Sequence, residues 1–297
     1  MPVIGYLSSA SESGFTALAA DFRGGLSEEG FAEGTNVDIE WKWANGNYGQ
    51  QLWQMAADLV GDGVDVIATT GGLVSAQAAV AATDKIPILF ISGVNPNEVE
   101  FASGTKGAPP NATGVSVQGT DTGYTRLVEF RKLLGTHAQT RIALLVRPGT
   151  SIAQREIKLA RRENLSVVYA TTESDLSTAF ASALEQRVGG LMVTADPFFT
   201  SRREMIVALA TQNKLPTAYP WREYVEVGGL MSYGESLPDA YRLVGRYAGR
   251  ILKGARPQDK NTPIIVTSEF KLVISRQSAG ALGLEIPQGL RAHAEII

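Results

Sequence analysis

The sequence contains no cysteine among its 297 residues. This absence excludes disulfide bonds, thiolate nucleophiles, two-cysteine racemase chemistry and cysteine-ligated zinc. Histidine is almost as scarce, because His137 and His293 are the only two and each stands in a polar, loop-like context. No histidine is paired with a carboxylate at helical spacing, so we expect neither a metal site nor a cofactor.

Runs of basic residues are also missing. The chain has 27 Lys and Arg against 30 Asp and Glu, a formal net charge of −3, so binding to nucleic acid or an anionic membrane has no electrostatic basis. No apolar run is long enough to span a bilayer, and Met1–Leu7 lacks the charged and long apolar regions of a signal peptide. We therefore expect an intracellular protein or one whose export signal has been removed.

Several catalytic and nucleotide-binding motifs are absent as well. The chain has no G-x-S-x-G elbow, no G-x-G-x-x-G fingerprint and no P-loop. This favours a binding protein over an enzyme. One enzymatic alternative stays open, in which Asp196 and Glu223 do acid–base work on a bound metabolite, although nothing in their spacing favours this over a helix cap and a salt bridge.

What the chain has is an alternation of short apolar runs with segments of helical spacing. The apolar runs are Val3–Leu7, Val64–Ala68, Ile86–Ile91, Arg141–Val146, Leu165–Ala170, Gly190–Thr194 and Leu230–Tyr233. Such runs between amphipathic helices predict parallel sheets covered on both faces. In Val37–Trp43 apolar and charged residues alternate, which predicts a strand near an edge. The chain is long enough for two cores, so we predict an α/β fold with two sheets of about five strands each.

Capping residues and spacing predict where several helices begin and end. Ser174 is predicted to cap a helix that stops at Gly189, and Ser201 with Glu204 has the spacing of a capping box. A further helix is predicted to begin near Ser236 and to end at Gly254. The residues predicted to face the core are Phe15, Leu18, Ala19, Phe22 and Leu26 in the first helix of the chain. In the helix capped by Ser174 they are Leu176, Ala179, Phe180, Ala183 and Leu184, and in the helix that starts at Ser201 they are Met205, Ile206 and Leu209.

Candidate ligand contacts lie in the loops that follow the predicted strands, because ligands of open α/β sheets bind beyond the carboxyl ends of the strands. In the N-terminal half these loops are small and polar, which suits the anionic or polar end of a ligand: Ser8, Ser9, Thr70, Gly71 and Ser92. In the C-terminal half they combine aromatic rings with charges: Asp196, Phe198, Tyr219, Trp221, Arg222 and Tyr233. We expect Asp196 to accept a hydrogen bond from the ligand or to pair with an amine. Tyr219, Trp221 and Tyr233 are expected to form an aromatic wall, while Arg222 is an alternative partner for a carboxylate.

Each candidate also has an ordinary structural interpretation. The Thr-Thr-Gly-Gly segment that begins at Thr69 suits a tight turn before a helix, and Asp196 before a proline suits a turn or a cap. Phe198 could be a core residue at the sheet end. Trp41 and Trp43 we assign to core or interlobe packing, not to ligand binding.

The order of these segments resembles the bacterial ABC-transporter substrate-binding proteins of the type that includes tryptophan-binding lipoproteins. The resemblance extends over nearly the whole chain, and its most specific segments are Ile4–Ser9, Arg23–Gly34, Ala195–Phe199 with Arg202 and Arg203, Leu215–Glu223, Gly228–Gly234 and Ala281–Pro287.

The resemblance implies a type I periplasmic-binding fold with two Rossmann-like lobes, three crossovers and a ligand cleft between them. One lobe would comprise residues 1–117 with about 236–268, and the other 118–235 with about 269–297. It further implies an exported, monomeric protein that delivers a small solute to a membrane permease. An aromatic amino acid or related aromatic acid is the first expectation for that solute. The same fold could also serve as the ligand-sensing module of a signalling system.

Overall fold

In the computed structural model the chain divides into two compact units. Unit 1 comprises Met1–Thr120 and Leu237–Thr267, and unit 2 comprises Asp121–Ser236 and Ser268–Ile297. The structure describes residues 1–97, 99–102, 105–117, 122–135 and 141–297. No helix within these ranges is both long and apolar enough to cross a bilayer.

Unit 1 is built on a six-stranded parallel sheet with the strand order β13-β7-β4-β3-β1-β2. A short antiparallel pair, β5 with β6, lies beside it. With elements numbered along the whole chain, unit 1 contains β1 (Val3–Ser8), α1 (Glu12–Glu28), β2 (Asp38–Trp43), α2 (Gln50–Gly61), β3 (Val66–Thr70), α3 (Leu73–Ala82), β4 (Ile88–Ser92), β5 (Glu100–Ala102), β6 (Thr105–Lys106), β7 (Ala112–Ser116), α10 (Leu237–Leu252) and β13 (Ile265–Val266).

Unit 2 is built on a seven-stranded sheet with the order β15-β14-β12-β11-β10-β8-β9. Its strands run parallel except where β14 meets β12. Its elements are α4 (Thr122–Leu134), β8 (Ile142–Val146), α5 (Ser151–Arg162), β9 (Ser166–Tyr169), α6 (Glu173–Glu185), β10 (Gly190–Val193), α7 (Pro197–Ser201), α8 (Arg203–Gln212), β11 (Thr217–Tyr219), α9 (Arg222–Glu226), β12 (Met231–Gly234), β14 (Lys271–Ile274), α11 (Arg276–Ala281), α12 (Gln288–Arg291) and β15 (Glu295–Ile296).

The α/β prediction is confirmed, and β2 is an edge strand as its alternating pattern indicated. Two helix starts were predicted wrongly. Thr172, not Ser174, caps α6, because its side chain and that of Asp175 form the capping box. Ser201 is the last residue of α7, and the N-cap residue of α8 is Arg202, which makes no side-chain cap bond. Met205, predicted to face the core, is 37% exposed, and the buried residues of α8 are Ile206, Val207 and Ala210.

In unit 1 the helices α1 and α10 meet backbone to backbone. A Cβ atom added at Gly25 would lie 1.8 Å from the carbonyl oxygen of Arg242, and one added at Gly245 would lie 2.1 Å from that of Phe22. Only glycine permits this approach, because any larger residue would force the helices apart. The contact attaches a segment from the far end of the chain to the first helix of the unit.

Ion pairs flank this glycine contact along its length. Arg242 and Arg246 both pair with Glu28, at 2.9 and 3.0 Å, and Arg250 and Lys253 both pair with Glu29, at 2.9 and 3.0 Å. The two arginine hydrogen bonds lower the pKa of Glu28 below its usual value. Exposed pairs are individually weak, so they set the register of the two helices while the glycine contact sets their distance.

We predict that Gly25→Ala destabilises the protein by about 1–3 kcal/mol, because the new methyl group has to displace the backbone of α10. Urea denaturation measures the loss. The matched control is Gly24→Ala in the same helix, where a Cβ would meet only the Arg242 guanidinium at 3.7 Å. The control is expected to be neutral or slightly stabilising, since alanine favours a helix. Equal losses in both variants would contradict the close-contact explanation.

Candidate functional site

The carboxyl ends of the parallel strands in unit 1 bring three of the predicted residues to one edge of the sheet. Ser8 ends β1 and is in register with Thr70, which ends β3. Ser92 ends β4, the next strand in the sheet. All three side chains are buried. The fold therefore assembles the small polar residues that the sequence places in separate loops.

Most of the hydroxyl protons at this edge are used to fix the loops. Ser9 Oγ donates to the carbonyl oxygen of Gly71. Thr70 Oγ1 donates to the Tyr6 phenol oxygen at 3.0 Å, and Ser92 Oγ donates to the Val94 carbonyl oxygen at 2.8 Å. An anionic ligand at this edge would therefore be met mainly by backbone N–H groups.

The N-terminus of α3 supplies such N–H groups. Two consecutive glycines precede the helix, Gly71 with φ +74° and Gly72 with φ +91°. The N-cap residue of α3 is Gly72, which has no side chain to cap the helix, whereas the Ser11 side chain caps α1. An uncapped helix start after left-handed glycines offers backbone donors and a positive dipole end to an anion.

One aromatic residue at this edge was assigned to packing by sequence reasoning. Trp43 ends β2 and is in register with Ser8 at the end of β1. Its ring lies 5.2 Å from that of Tyr6, the acceptor of the Thr70 hydrogen bond. Burial raises the pKa of Tyr6, so its phenol stays protonated. In the sequence, the position of Trp43 as the last residue of the predicted strand Val37–Trp43 indicated that it lies near the loops at the strand ends.

In unit 2 a buried carboxylate, that of Asp196, lies three residues beyond Val193, where β10 ends. Asp196 is 1% exposed, and its Oδ1 accepts a hydrogen bond from the Phe198 backbone N–H at 2.9 Å. It is therefore the N-cap of α7, as its position before a proline suggested. The capping hydrogen bond fixes the Asp196 carboxylate in place at the carboxyl edge of the sheet.

Phe198 carries two guanidinium groups on its ring. Arg202 lies 4.1 Å and Arg147 5.0 Å from the ring centroid. Arg202 also pairs with Glu173 at 3.0 Å. Neither arginine was among the predicted contacts, although Arg147 follows β8 directly, which is the same signal that identified the other loops. The region thus combines a carboxylate, an aromatic ring and cations.

The other predicted aromatic residues pack inside unit 2. Tyr219 is 1% exposed and stacks on Tyr224 with ring centroids 4.7 Å apart, while burial raises its pKa. Tyr233 stacks on Phe270 at 5.8 Å. Trp221 is 4% exposed and immediately precedes α9. Tyr219 ends β11, Trp221 lies two residues beyond it, and Tyr233 is the last but one residue of β12.

Arg222, predicted as an alternative partner for the carboxylate of a ligand, instead pairs with carboxylates of the protein itself. Its guanidinium is held by two surface carboxylates, Glu226 at 2.7 Å and Glu295 at 2.6 Å, and its side chain is 39% exposed. The next residue, Glu223, is largely buried, and this burial raises its pKa. The helical i,i+4 spacing of Arg222 and Glu226 was the signal for an ordinary surface ion pair.

The part of the chain that the structure describes contains no group of three or more acidic or imidazole side chains arranged to hold a metal ion. His293 lies 3.3 Å from the carboxylate of Glu129. His137 lies outside the described residues.

Comparison with known proteins identifies the family. The family model of the ABC transporter substrate-binding proteins matches residues 6–296. The chain belongs to this family. The role of the family is to bind small-molecule solutes, which is not a catalytic role, and its members work outside the cytoplasm with membrane permeases.

Individual relatives are distant but match over most of the chain. A tyrosine-binding protein of Clostridioides difficile is 24% identical over 268 residues, 88% of this chain and 74% of the relative. A Streptococcus pneumoniae structure described as an ABC domain in complex with L-Trp has a TM-score of 0.80 and 22% identity, covering 100% of this chain and 99% of that chain.

A conserved domain protein of Vibrio cholerae also gives a TM-score of 0.80, with 24% identity over 99% of this chain and 98% of that chain. At these identities the structural matches establish the fold. They confirm the two-lobed type I periplasmic-binding architecture that the resemblance implied.

We predict that Gly71→Ala costs this substrate-binding protein clearly more stability than Gly63→Ala. Both glycines have φ +74°, so both variants lose about 1–2 kcal/mol to the left-handed backbone. At Gly71 the added Cβ would also lie 2.6 Å from Ser9 Oγ and 2.8 Å from Ser9 N, whereas Gly63 has nothing within 4 Å. Urea denaturation compares the two, and equal losses would show that the loop tolerates the methyl group.

Proposed function

We propose that this substrate-binding protein captures an aromatic amino acid, or a closely related aromatic acid, for an ABC importer. The observation that carries the proposal is the buried Asp196 carboxylate just beyond β10, which is bonded to the backbone of the aromatic residue Phe198. A carboxylate beside an aromatic surface is complementary to a molecule that has both an amine and a ring. The tryptophan-bound and tyrosine-binding relatives support the same solute class.

The carboxylate of the solute would bind in unit 1. The uncapped N-terminus of α3, after Gly71 and Gly72, is an anion-binding arrangement of backbone N–H groups. Ser8, Ser9, Thr70 and Ser92 would shape this half of the site, since their hydroxyl groups hold the surrounding loops in place.

The amine and ring of the solute would bind in unit 2. Asp196 provides the negative charge for the ammonium group, and Phe198 and Trp221 provide aromatic surface. Arg147 and Arg202 hold the Phe198 ring by cation–π contacts, so they act on the solute through that ring. Tyr219 and Tyr233 support this half by packing.

Transport would follow from preferential binding of the solute to the closed form of the two lobes, which shifts the open–closed equilibrium. The permease would then recognise the closed form. In this role the protein acts outside the cytoplasm as a monomer, without nucleic acid and without chemical change of the solute.

The solute class can be tested by thermal denaturation in the presence of candidate solutes. At a solute concentration of about 100 times Kd, mass action predicts a stabilisation of about 2.7 kcal/mol. We expect this with aromatic amino acids or aromatic acids and not with sugars or aliphatic amino acids. Stabilisation by sugars or aliphatic amino acids alone would remove the aromatic assignment.

We further predict that Asp196→Asn weakens binding of an aromatic amino acid at least about 30-fold, because a buried charge pair loses one partner. Asparagine also caps helices well, so folding should be retained. Isothermal titration calorimetry measures the affinity.

The matched control for that variant is Asp175→Asn, which alters a capping carboxylate of α6 bonded to Thr171 and Thr172. This control should cost some stability and leave the affinity unchanged. An unaltered affinity in Asp196→Asn would show that the carboxylate is only a helix cap.

A further inference from the structure

Unit 2 contains a fully buried arginine that lacks hydrogen-bond acceptors. Arg126 lies in α4 and is 0% exposed. Within the described residues nothing accepts a hydrogen bond from its Nε, Nη1 or Nη2 atoms. A guanidinium group has five N–H donors, and burying them without acceptors is costly. The surroundings of Arg126 therefore require an additional acceptor.

The nearest charged group leaves this requirement unmet. Glu156 in α5 is 2% exposed, and its Oε1 lies 3.8 Å from Arg126 Nη2, which is too long for a hydrogen bond. Glu156 Oε2 also has no donor among the described residues. Gly123 makes room for this carboxylate, since a Cβ there would lie 2.8 Å from Oε1. A donor set and an acceptor thus face each other without bonding.

This pair lies within electrostatic range of the strand ends of unit 2. Glu235, the residue after the end of β12, and Tyr224 both act electrostatically on Arg126. Tyr224 is in turn within range of Asp196. Burial lowers the pKa of Arg126, and the charge of Glu156 opposes that effect. α4, which carries Arg126, packs against β11 and β12, and α9 packs against the same two strands, so the pair lies on the part of unit 2 that also carries Trp221 and Tyr233.

The charges near the pair indicate which chemical group it would accept. Arg126 and Glu156 carry opposite charges 3.8 Å apart, so the pair itself requires no counter-ion. A carboxylate could only accept hydrogen bonds and would be repelled by Glu156. An ammonium could only donate and would be repelled by Arg126. A hydroxyl group can accept from Arg126 and donate to Glu156 at the same time.

We propose that Arg126 and Glu156 bind a hydroxyl group of the solute and so select a hydroxyphenyl amino acid over its phenyl analogue. This rests on the proposed function, because the hydroxyl group is carried on the ring of the proposed solute. Water is the other source of the same chemistry, and a water held permanently by the pair would give no such selectivity.

The test compares the affinities of L-tyrosine and L-phenylalanine by isothermal titration calorimetry. The wild-type protein should prefer tyrosine by at least about tenfold, because a site built to bond a hydroxyl group rejects the analogue that lacks it. In Arg126→Met with Glu156→Leu the preference should fall to about one, with little change for phenylalanine. Replacing both partners together avoids leaving one buried charge alone.

The matched control alters another ion pair between the same two helical segments. Arg131 of α4 pairs at 2.9 Å with Glu163, the residue that follows α5, and both are partly exposed. Arg131→Met with Glu163→Leu should keep the tyrosine preference. If the first double variant does not fold, Arg126→Leu with Glu156→Met replaces it, since neither new side chain can bond a hydroxyl group strongly and the preference should likewise be lost.

The outcomes separate this inference from the proposed function. Equal wild-type affinities for tyrosine and phenylalanine, or a preference that survives in the folded double variant, would show that water occupies the pair and would overturn the inference alone. A wild-type protein that binds neither amino acid nor any other aromatic acid would overturn the proposed function and this inference with it.

Discussion

The close contact between α1 and α10 is the constraint on which unit 1 depends. These helices are separated by more than two hundred residues, and they meet because Gly25 and Gly245 remove the side chains that would hold them apart. The contact returns the chain to unit 1, where α10 packs against β3, β4 and β7. Those strands carry Thr70 and Ser92 at their ends, so the helix contact indirectly holds the polar loops in place.

The parallel direction of the strands then decides where chemistry can occur. Parallel strands have all their carboxyl ends at one edge, and each end leads into a loop before a helix. In unit 1 the loops carry small hydroxyl residues and two left-handed glycines, which leave backbone N–H groups as the main donors. In unit 2 the same edge carries Asp196, which caps α7, and Phe198, which two arginines contact. The two edges thus have different chemistry despite similar architecture.

Unit 2 contains two ion pairs between the α4 and α5 segments that differ in burial and in bonding. The exposed pair of Arg131 with Glu163 is bonded at 2.9 Å, whereas the buried pair of Arg126 with Glu156 stays at 3.8 Å without hydrogen bonds. Buried pairs seldom stabilise a fold by themselves because desolvation offsets their attraction. A buried pair that leaves its hydrogen bonds unmade is more simply explained by a third group that completes them.

The sequence by itself determined the α/β class, the edge position of β2, the strand-end loops and the family, because strand period, helical spacing and turn residues are local properties. It misplaced the caps of α6 and α8, since Thr172, Ser174 and Ser201 are chemically similar and the choice depends on the backbone. Only the tertiary structure decided that Arg222 serves a surface ion pair and that Tyr219 packs inside the unit. The tertiary structure also decided that Arg126 is buried beside Glu156, although Arg126 lies on α4 among buried apolar residues such as Leu127 and Phe130. That contact joins two helices, and no local pattern in the sequence encodes how closely they approach.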